Sequence, residues 1–108
     1  MNENNFLNIY GMKTIFLPTM KKDIHRHLLV LYHALEQSFL EQNKPHTIEW
    51  VEDIIHYSRY WFCTEVERTS CLLHQACHRD TSFSSMKPHL AAIQAAIREI
   101  NIPTSLDL

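Results

Sequence analysis

Four side chains that can bind a metal ion through nitrogen or sulfur fall within eight residues, from Cys71 to His78. On a helix, Cys71, His74 and His78 lie on one face, with a spacing that suits a shared tetrahedral ion such as Zn²⁺. A structural zinc site usually draws its ligands from two separate pairs, and this cluster supplies only one of them. The alternative is that Cys71 and Cys77 pack as small hydrophobic residues while both histidines are solvated.

Three further ionisable residues stand on predicted core stripes, namely His25, Glu65 and His89. A buried carboxylate without a partner is costly, so we expect Glu65 to be protonated, hydrogen-bonded or bound to a cation. At about 1.5 Å per residue, His25 and Glu65 come within roughly 3 Å of the same height on antiparallel helices. The sequence thus predicts that they touch, directly or through an ion or a water. The alternative is that each histidine donates to a carbonyl group and Glu65 pairs with Tyr32 or Thr69.

Three amphipathic segments position these residues. Apolar residues at a spacing of three and four predict helices over 21–42, over 47 to 73 or 79, and over 84–100. Thr47 is predicted to cap the second helix, and a serine near residue 84 the third. The predicted core stripes contain Leu28, Leu29, Tyr32, Leu35, Phe39, Val51, Ile54, Ile55, Ser58, Phe62, Glu65, Thr69, Leu72, Leu73, Met86, His89, Leu90, Ile93, Ala96, Ile97 and Ile100.

The end of the second helix decides which residues meet. If this helix ends soon after Leu73, His89 lies level with Glu65, whereas a helix that continues to Arg79 places His89 opposite His74. Both alternatives remain open on sequence grounds.

The predicted fold is all-α. Short connections between amphipathic helices favour antiparallel neighbours, and hence an up-down antiparallel bundle of three main helices. One domain is expected, with an N-terminal arm at 1–20, the bundle at 21–100 and a tail at 101–108.

Composition argues against several classes of function. A chain of 108 residues with one glycine offers few loops from which to build an active-site cleft, so we do not expect this protein to be an enzyme. The formal charge of -2 argues against direct nucleic-acid binding, and no run approaches the ~20 apolar residues of a membrane span. The apolar run Ile15-Phe-Leu17 is too short for a signal-peptide core, so we expect a cytoplasmic protein whose three cysteines stay reduced. Their odd number also argues against a closed disulfide framework.

The pattern of possible ligands resembles a hemerythrin-like, or HHE, domain. The matching stretches are His25-Arg-His-Leu-Leu, Trp61-Phe-Cys-Thr-Glu65 and Met86-Lys-Pro-His89, one on each of the three predicted helices. The resemblance implies a helical bundle with an iron site. Trp61 stands where the family has a ligand histidine, and the family's fourth helix with its own ligands has no counterpart among the predicted helices. We therefore expect a metal site with fewer ligands, which binds iron or zinc, in place of a complete di-iron centre.

A second resemblance, over the same three helices, is to the Rsd/AlgQ family of small regulators that bind the primary sigma factor of RNA polymerase. It is carried by His27-Leu-Leu-Val-Leu-Tyr32-His-Ala-Leu35, with shorter similarities at Tyr57, Glu67-Arg68 and Pro88-His-Leu. An apolar stripe left uncovered by a missing fourth helix favours a homo-oligomer or another protein partner. The sequence therefore predicts a non-enzymatic regulatory or binding module, with a sigma-factor regulator or a metal-free interaction protein as alternatives.

Overall fold

The computed structural model describes residues 18–79 and 82–100. All the secondary structure in these two ranges is α-helical, so the predicted all-α class is confirmed. The predicted number of helices is wrong, because four are present there and the expected second helix is divided in two. The helices are α1 (Pro18–Leu40), α2 (Lys44–Tyr60), α3 (Thr64–Cys77) and α4 (Phe83–Glu99).

The break between α2 and α3 is a tight turn made without glycine or proline. Phe62 has a left-handed backbone conformation with a φ of 61°. The amide of Cys63 donates to the carbonyl of Ser58 at 2.8 Å, and the amide of Phe62 donates to the carbonyl of Arg59 at 3.3 Å. These two hydrogen bonds form a Schellman motif, which ends a helix and is usually built on glycine. A residue with a Cβ atom is strained at this position by about 1–2 kcal/mol.

The turn between α1 and α2 is closed in the same way around Gln42, whose φ is 55°. The amide of Asn43 donates to the carbonyl of Ser38, and the amide of Gln42 to that of Phe39, both at 3.0 Å. The Asn43 side chain caps α2 by accepting a hydrogen bond from the amide three residues later, at 3.2 Å. Thr47, the predicted cap, lies inside α2 and is buried.

The turn at Phe62 changes which residues of the following helix face the core. Phe62, Glu65 and Leu72 were predicted on the core stripe but are exposed, whereas Val66 and Ser70 are buried. Because the turn interrupts the helical phase, the core positions of α3 come one residue later than a continuous helix would place them. The buried residues that agree with the prediction are Leu28, Tyr32, Leu35, Phe39, Val51, Ile54, Ile55, Ser58, Thr69, Leu73, Met86, Leu90, Ile93, Ala96 and Ile97.

Contacts between α1 and α2 join opposite ends of the two helices. The hydroxyl oxygens of Ser38 and Thr47 lie 3.1 Å apart, and the rings of His27 and Tyr57 are 4.2 Å apart between centroids. Since the higher number on α1 meets the lower number on α2, these two helices run in opposite directions.

The last helix begins at Phe83, after the cap residue Ser82, whose hydroxyl accepts a hydrogen bond from the Ser85 amide at 3.2 Å. It packs on α1 through a T-shaped pair formed by Phe39 and Phe83, with centroids 5.0 Å apart.

The predicted tail lies outside the described residues, as does most of the predicted arm, although residues 18–20 already belong to α1. Among the four helices of the described ranges, none has the length and apolar content needed to cross a membrane.

Candidate metal site

Two contacts at the surface show how α2 and α3 are aligned. Nε of Arg59 donates to Oε2 of Glu67 at 2.8 Å, and Nε2 of His74 lies 2.9 Å from Oε2 of Glu52. Arg59 and Glu52 are seven residues apart, as are Glu67 and His74, and the order is reversed between the helices. The two helices therefore run in opposite directions, with Glu52 level with His74.

Three possible metal ligands converge beside this second contact. The side chains of Glu52, His74 and His78 each offer one ligand atom, and these atoms all lie within 4.8 Å of one another. The two histidines are four residues apart on α3, and their rings are 4.6 Å apart between centroids at an interplanar angle of 64°. The side chain of His74 is 28% exposed and that of Glu52 is 47% exposed. The group lies at the protein surface, accessible to an ion from solution.

Two imidazoles and a carboxylate are ligands typical of Zn²⁺ and Fe²⁺. Ligand atoms bound to zinc at ~2.0–2.1 Å stand roughly 3.3 Å from one another, so the three side chains would close only slightly around an ion. His78 is also the C-cap residue of α3. Because the carboxyl end of a helix carries a partial negative charge, the helix dipole adds to the attraction of Glu52 for a cation.

The group of possible ligands in the structure differs by one residue from the predicted set of Cys71, His74 and His78. His74 and His78 come together as predicted, but Glu52 joins them in place of Cys71. Cys71 is half-buried one turn before His74, near Arg59. The pKa of Arg59 is raised mainly by its hydrogen bond to Glu67, with a smaller contribution from Cys71. Spacing along one helix could not reveal Glu52, because its position depends on the register between two helices.

The predicted burial of Glu65 is wrong. Its side chain is exposed, and both its carboxylate oxygens accept hydrogen bonds from Arg68 one turn later. These hydrogen bonds hold the pKa of Glu65 below its ordinary value. Thr69 donates to the backbone carbonyl of Glu65 at 2.9 Å, not to its carboxylate. The physical reason is the turn at Phe62, which rotates Glu65 from the core stripe into solvent.

His25 and His89 are half-buried, and the structure does not gather them with Glu65. In residues 18–79 and 82–100, the group of three ligands found is that of Glu52, His74 and His78. His74, the alternative partner of His89, lies against Glu52 and His78 instead.

The three cysteines are free thiols. Cys77 is buried, with its Sγ atom 3.9 Å from Sδ of Met86, as expected for a cysteine that packs as a small hydrophobic residue. Burial raises the pKa of Cys63 to about 11 and also raises the pKa of Cys77. These two thiols are therefore protonated near neutral pH, a form that binds metal poorly.

A second surface feature is the aromatic turn between α2 and α3, formed by Tyr60, Trp61 and Phe62. Tyr60 is 72% exposed and Phe62 is 54% exposed. Trp61 packs edge to face on Tyr60, with ring centroids 5.1 Å apart, and lies 6.4 Å from Tyr57. Aromatic residues are enriched at protein–protein interfaces relative to the rest of the surface.

Comparison with known proteins finds no matching family model, no similar curated protein and no similar solved structure. The fold and the site themselves define an all-α domain with a surface-accessible group of two histidines and one glutamate across two helices.

Proposed function

We propose that this chain is a non-enzymatic regulatory or binding module that holds one divalent transition-metal ion between α2 and α3. In this proposal the four helices form an up-down antiparallel bundle, and Glu52, His74 and His78 are the ligands. The convergence of these three side chains within 4.8 Å is the observation that carries the proposal.

Of the two ions that we expect, zinc should bind more tightly than iron, which is the alternative. Imidazole nitrogen suits zinc, copper, iron and nickel, whereas carboxylate oxygen extends the range toward manganese. Among divalent ions, zinc binds to such mixed sites more tightly than Fe²⁺, in line with the Irving–Williams order.

Metal binding would act on the fold by joining α2 to α3. An ion that binds only the folded chain stabilises it by about 2.7 kcal/mol when free metal is 100-fold above the dissociation constant. The turn that connects these helices contains the strained residue Phe62. A bound ion would fix the helices on either side of that turn, and thereby the exposed aromatic side chains on it.

We further propose that the chain is related to the hemerythrin-like bundles but lacks part of their set of metal ligands. The described residues form four helices, the number in that family's bundle, although the stretch 61–65 lies at the turn between α2 and α3 and not within one helix. The ion would lie at Glu52, His74 and His78, and not at the residues that the resemblance suggested.

The direct test is titration of the untagged chain with Zn²⁺ by calorimetry after removal of bound metal. We expect one ion per chain, and about tenfold weaker binding or worse in Glu52→Gln, His74→Ala and His78→Ala. The matched control is His33→Ala, since His33 lies 3.8 Å from the Glu36 carboxylate on α1 and forms a similar but isolated pair. Wild-type protein that binds no zinc, or equal losses in the control, would contradict the proposal.

A second candidate function, favoured by the exposed aromatic turn, is the binding of a protein partner without metal. The partner would be a second copy of the chain or a transcription protein such as a primary sigma factor. Sedimentation velocity at micromolar concentration tests the first partner, and co-sedimentation with a purified primary sigma factor tests the second. Tyr60→Ser should weaken either association, because Tyr60 is the most exposed of the large hydrophobic side chains among the described residues.

A further inference from the structure

We infer that the ion held by Glu52, His74 and His78 also binds an anionic donor, such as a carboxylate oxygen, from outside the chain. This inference rests on the proposed function, because it names the ligand that the same site takes. The group of ligand atoms within 4.8 Å contains three side chains from residues 18–79 and 82–100. Zinc takes four ligands in a tetrahedral arrangement, so these three leave one position for an external donor.

The fourth position of the ion faces away from the core. Each of the three ligands directly follows a buried residue in the sequence, and these buried residues are Val51, Leu73 and Cys77. Since successive residues on a helix are turned by about 100°, the ligands lie at the border between the core and the surface. The two helices and the buried side chains thus occupy the inner side of the ligand triangle. The fourth bond of a tetrahedral ion points away from the other three, and here it points into solvent.

The side chains of the group leave this outer side accessible. That of Glu52 is 47% exposed, that of His74 is 28% exposed, and His78 is exposed as well. Zinc sites with three protein ligands keep the fourth position for a water or a substrate, whereas structural sites are closed by four protein ligands. An exposed group of three belongs to the first kind, so a dissolved donor can exchange with water at the ion.

Charge favours an anion at that position. A divalent ion carries two positive charges, of which Glu52 neutralises one, while His74 and His78 bind as neutral imidazoles. The carboxyl end of α3 adds about half a negative charge, which reduces the remaining excess without removing it. Arg59 and Glu67, the other contact between the two helices, neutralise each other at 2.8 Å. An anionic donor completes both the coordination and the charge balance of the ion.

Three other possible ligands lie close to the group in the sequence. Cys71 and His78 are seven residues apart, or about 10 Å along α3, too far for both to bind one ion without distorting the helix. Glu49 lies one turn before Asp53, which lines the groove between α1 and α2. Neither Cys71 nor Glu49 belongs to the group of ligand atoms within 4.8 Å. Asp80 lies outside the described residues, so its substitution serves as a control.

Titration of the Co²⁺-loaded chain with sodium acetate tests for the external ligand. The visible absorption bands of Co²⁺ depend on the number and kind of its ligands. Acetate carries a carboxylate that can bind the ion, whereas perchlorate coordinates metals very weakly and is the matched salt control at equal ionic strength. We expect acetate to change the bands until one anion is bound per ion, and perchlorate to leave them unchanged.

Substitutions then test whether the chain itself fills the fourth position. The response to acetate should persist in Glu49→Gln, Cys71→Ser and Asp80→Asn, because none of these side chains binds the ion in our account. A near-ultraviolet thiolate-to-cobalt band that is lost in Cys71→Ser would overturn the inference. A response to acetate that is absent in the wild type and gained in Glu49→Gln or Asp80→Asn would overturn it too.

The carboxylate can come from a small anion in solution or from an acidic side chain of a second copy of the chain. Sedimentation velocity of the zinc-loaded chain separates these two sources. Zinc-dependent dimers that acetate dissociates would assign the donor to the second copy. Monomers whose cobalt spectrum responds to acetate would assign it to a small anion.

The outcomes also separate this inference from the proposed function. A chain that binds one Co²⁺ ion but has the same spectrum in acetate and in perchlorate would overturn the external ligand and leave the proposed function intact. A wild-type chain that binds neither Co²⁺ nor Zn²⁺ would overturn both proposals.

Discussion

The carboxylate of Glu52 lies 2.9 Å from Nε2 of His74, although the two residues are 22 positions apart in the chain. Both side chains are partly exposed, and ion pairs in such positions contribute only about 0–1 kcal/mol to stability. The contact is thus too weak to hold α2 against α3 by itself. Its importance in the proposal lies in the ligand atoms that it brings together with His78.

The first prediction separates the structural from the metal-binding role of Glu52. Glu52→Gln should change the free energy of unfolding of the metal-free protein by less than about 1 kcal/mol. The same variant should lose most of the stabilisation that zinc gives the wild-type chain, about 2.7 kcal/mol at 100-fold excess over the dissociation constant. Urea denaturation with EDTA and with zinc measures both quantities. A variant that zinc stabilises as much as the wild type would contradict the assignment.

The second prediction concerns pH. A histidine binds metal only as the neutral imidazole, so protons compete with zinc for His74 and His78. Zinc affinity should fall as the solution is made more acidic, and binding should release protons. Calorimetry in buffers with different ionisation enthalpies counts these protons. An affinity that does not change on acidification of the folded protein would argue against histidine ligands.

The third prediction concerns alkaline pH and the half-buried thiol of Cys63. Burial raises its pKa from 9.0 to about 11, so the folded state retains a proton that the unfolded chain releases. The resulting stabilisation is complete below pH 9 and is lost as the pH rises from about 9 to about 11. The loss should not exceed about 3 kcal/mol.

The comparison variant for this loss is Cys63→Ala, which lacks the titrating group. Its stability should fall less than that of the wild type between pH 8 and pH 10.5 by urea denaturation. Burial also raises the pKa values of Tyr32 and Cys77, but these residues are present in both proteins and their effects cancel in the difference. The pKa of Tyr57 is raised first by burial and then by Cys63, so the interaction between these two residues belongs to the measured difference. Parallel losses in both proteins would show that Cys63 does not titrate in this way.

The fourth prediction tests the strained turns. Gln42 is exposed and has a left-handed φ of 55°, which costs a residue with a Cβ atom about 1–2 kcal/mol. Gln42→Gly should therefore stabilise the fold by roughly 0.5–1 kcal/mol, after the greater chain entropy of unfolded glycine is subtracted. Thermal unfolding measures the gain. The control is Gln37→Gly inside α1, which should destabilise the protein by about 1 kcal/mol.

The two turns also explain why the sequence predicted the fold better than the site. Apolar spacing placed the stripes of α1 and α4 correctly, because those helices are continuous through Leu28 and Leu35 and through Ile93 and Ile97. No glycine or proline marks the turn at Phe62, so the break between α2 and α3 was invisible in the sequence.

Because the turn at Phe62 was not predicted, the prediction for Glu65 was wrong. A continuous helix would have buried Glu65, whereas the turn rotates it into solvent beside Arg68. His74 and His78 lie side by side on α3, as a spacing of four residues predicts for any helix. Glu52 could not be found in the same way, because its contact with His74 depends on how two helices are placed against each other.

The most direct measurement of the central claim is anomalous X-ray diffraction at the zinc absorption edge, from crystals of the untagged chain grown with one equivalent of zinc. The account predicts one strong peak between the side chains of Glu52, His74 and His78, at bonding distance from all three. A peak beside His25 or His89, or the absence of any peak in crystals grown with one equivalent of zinc, would contradict it.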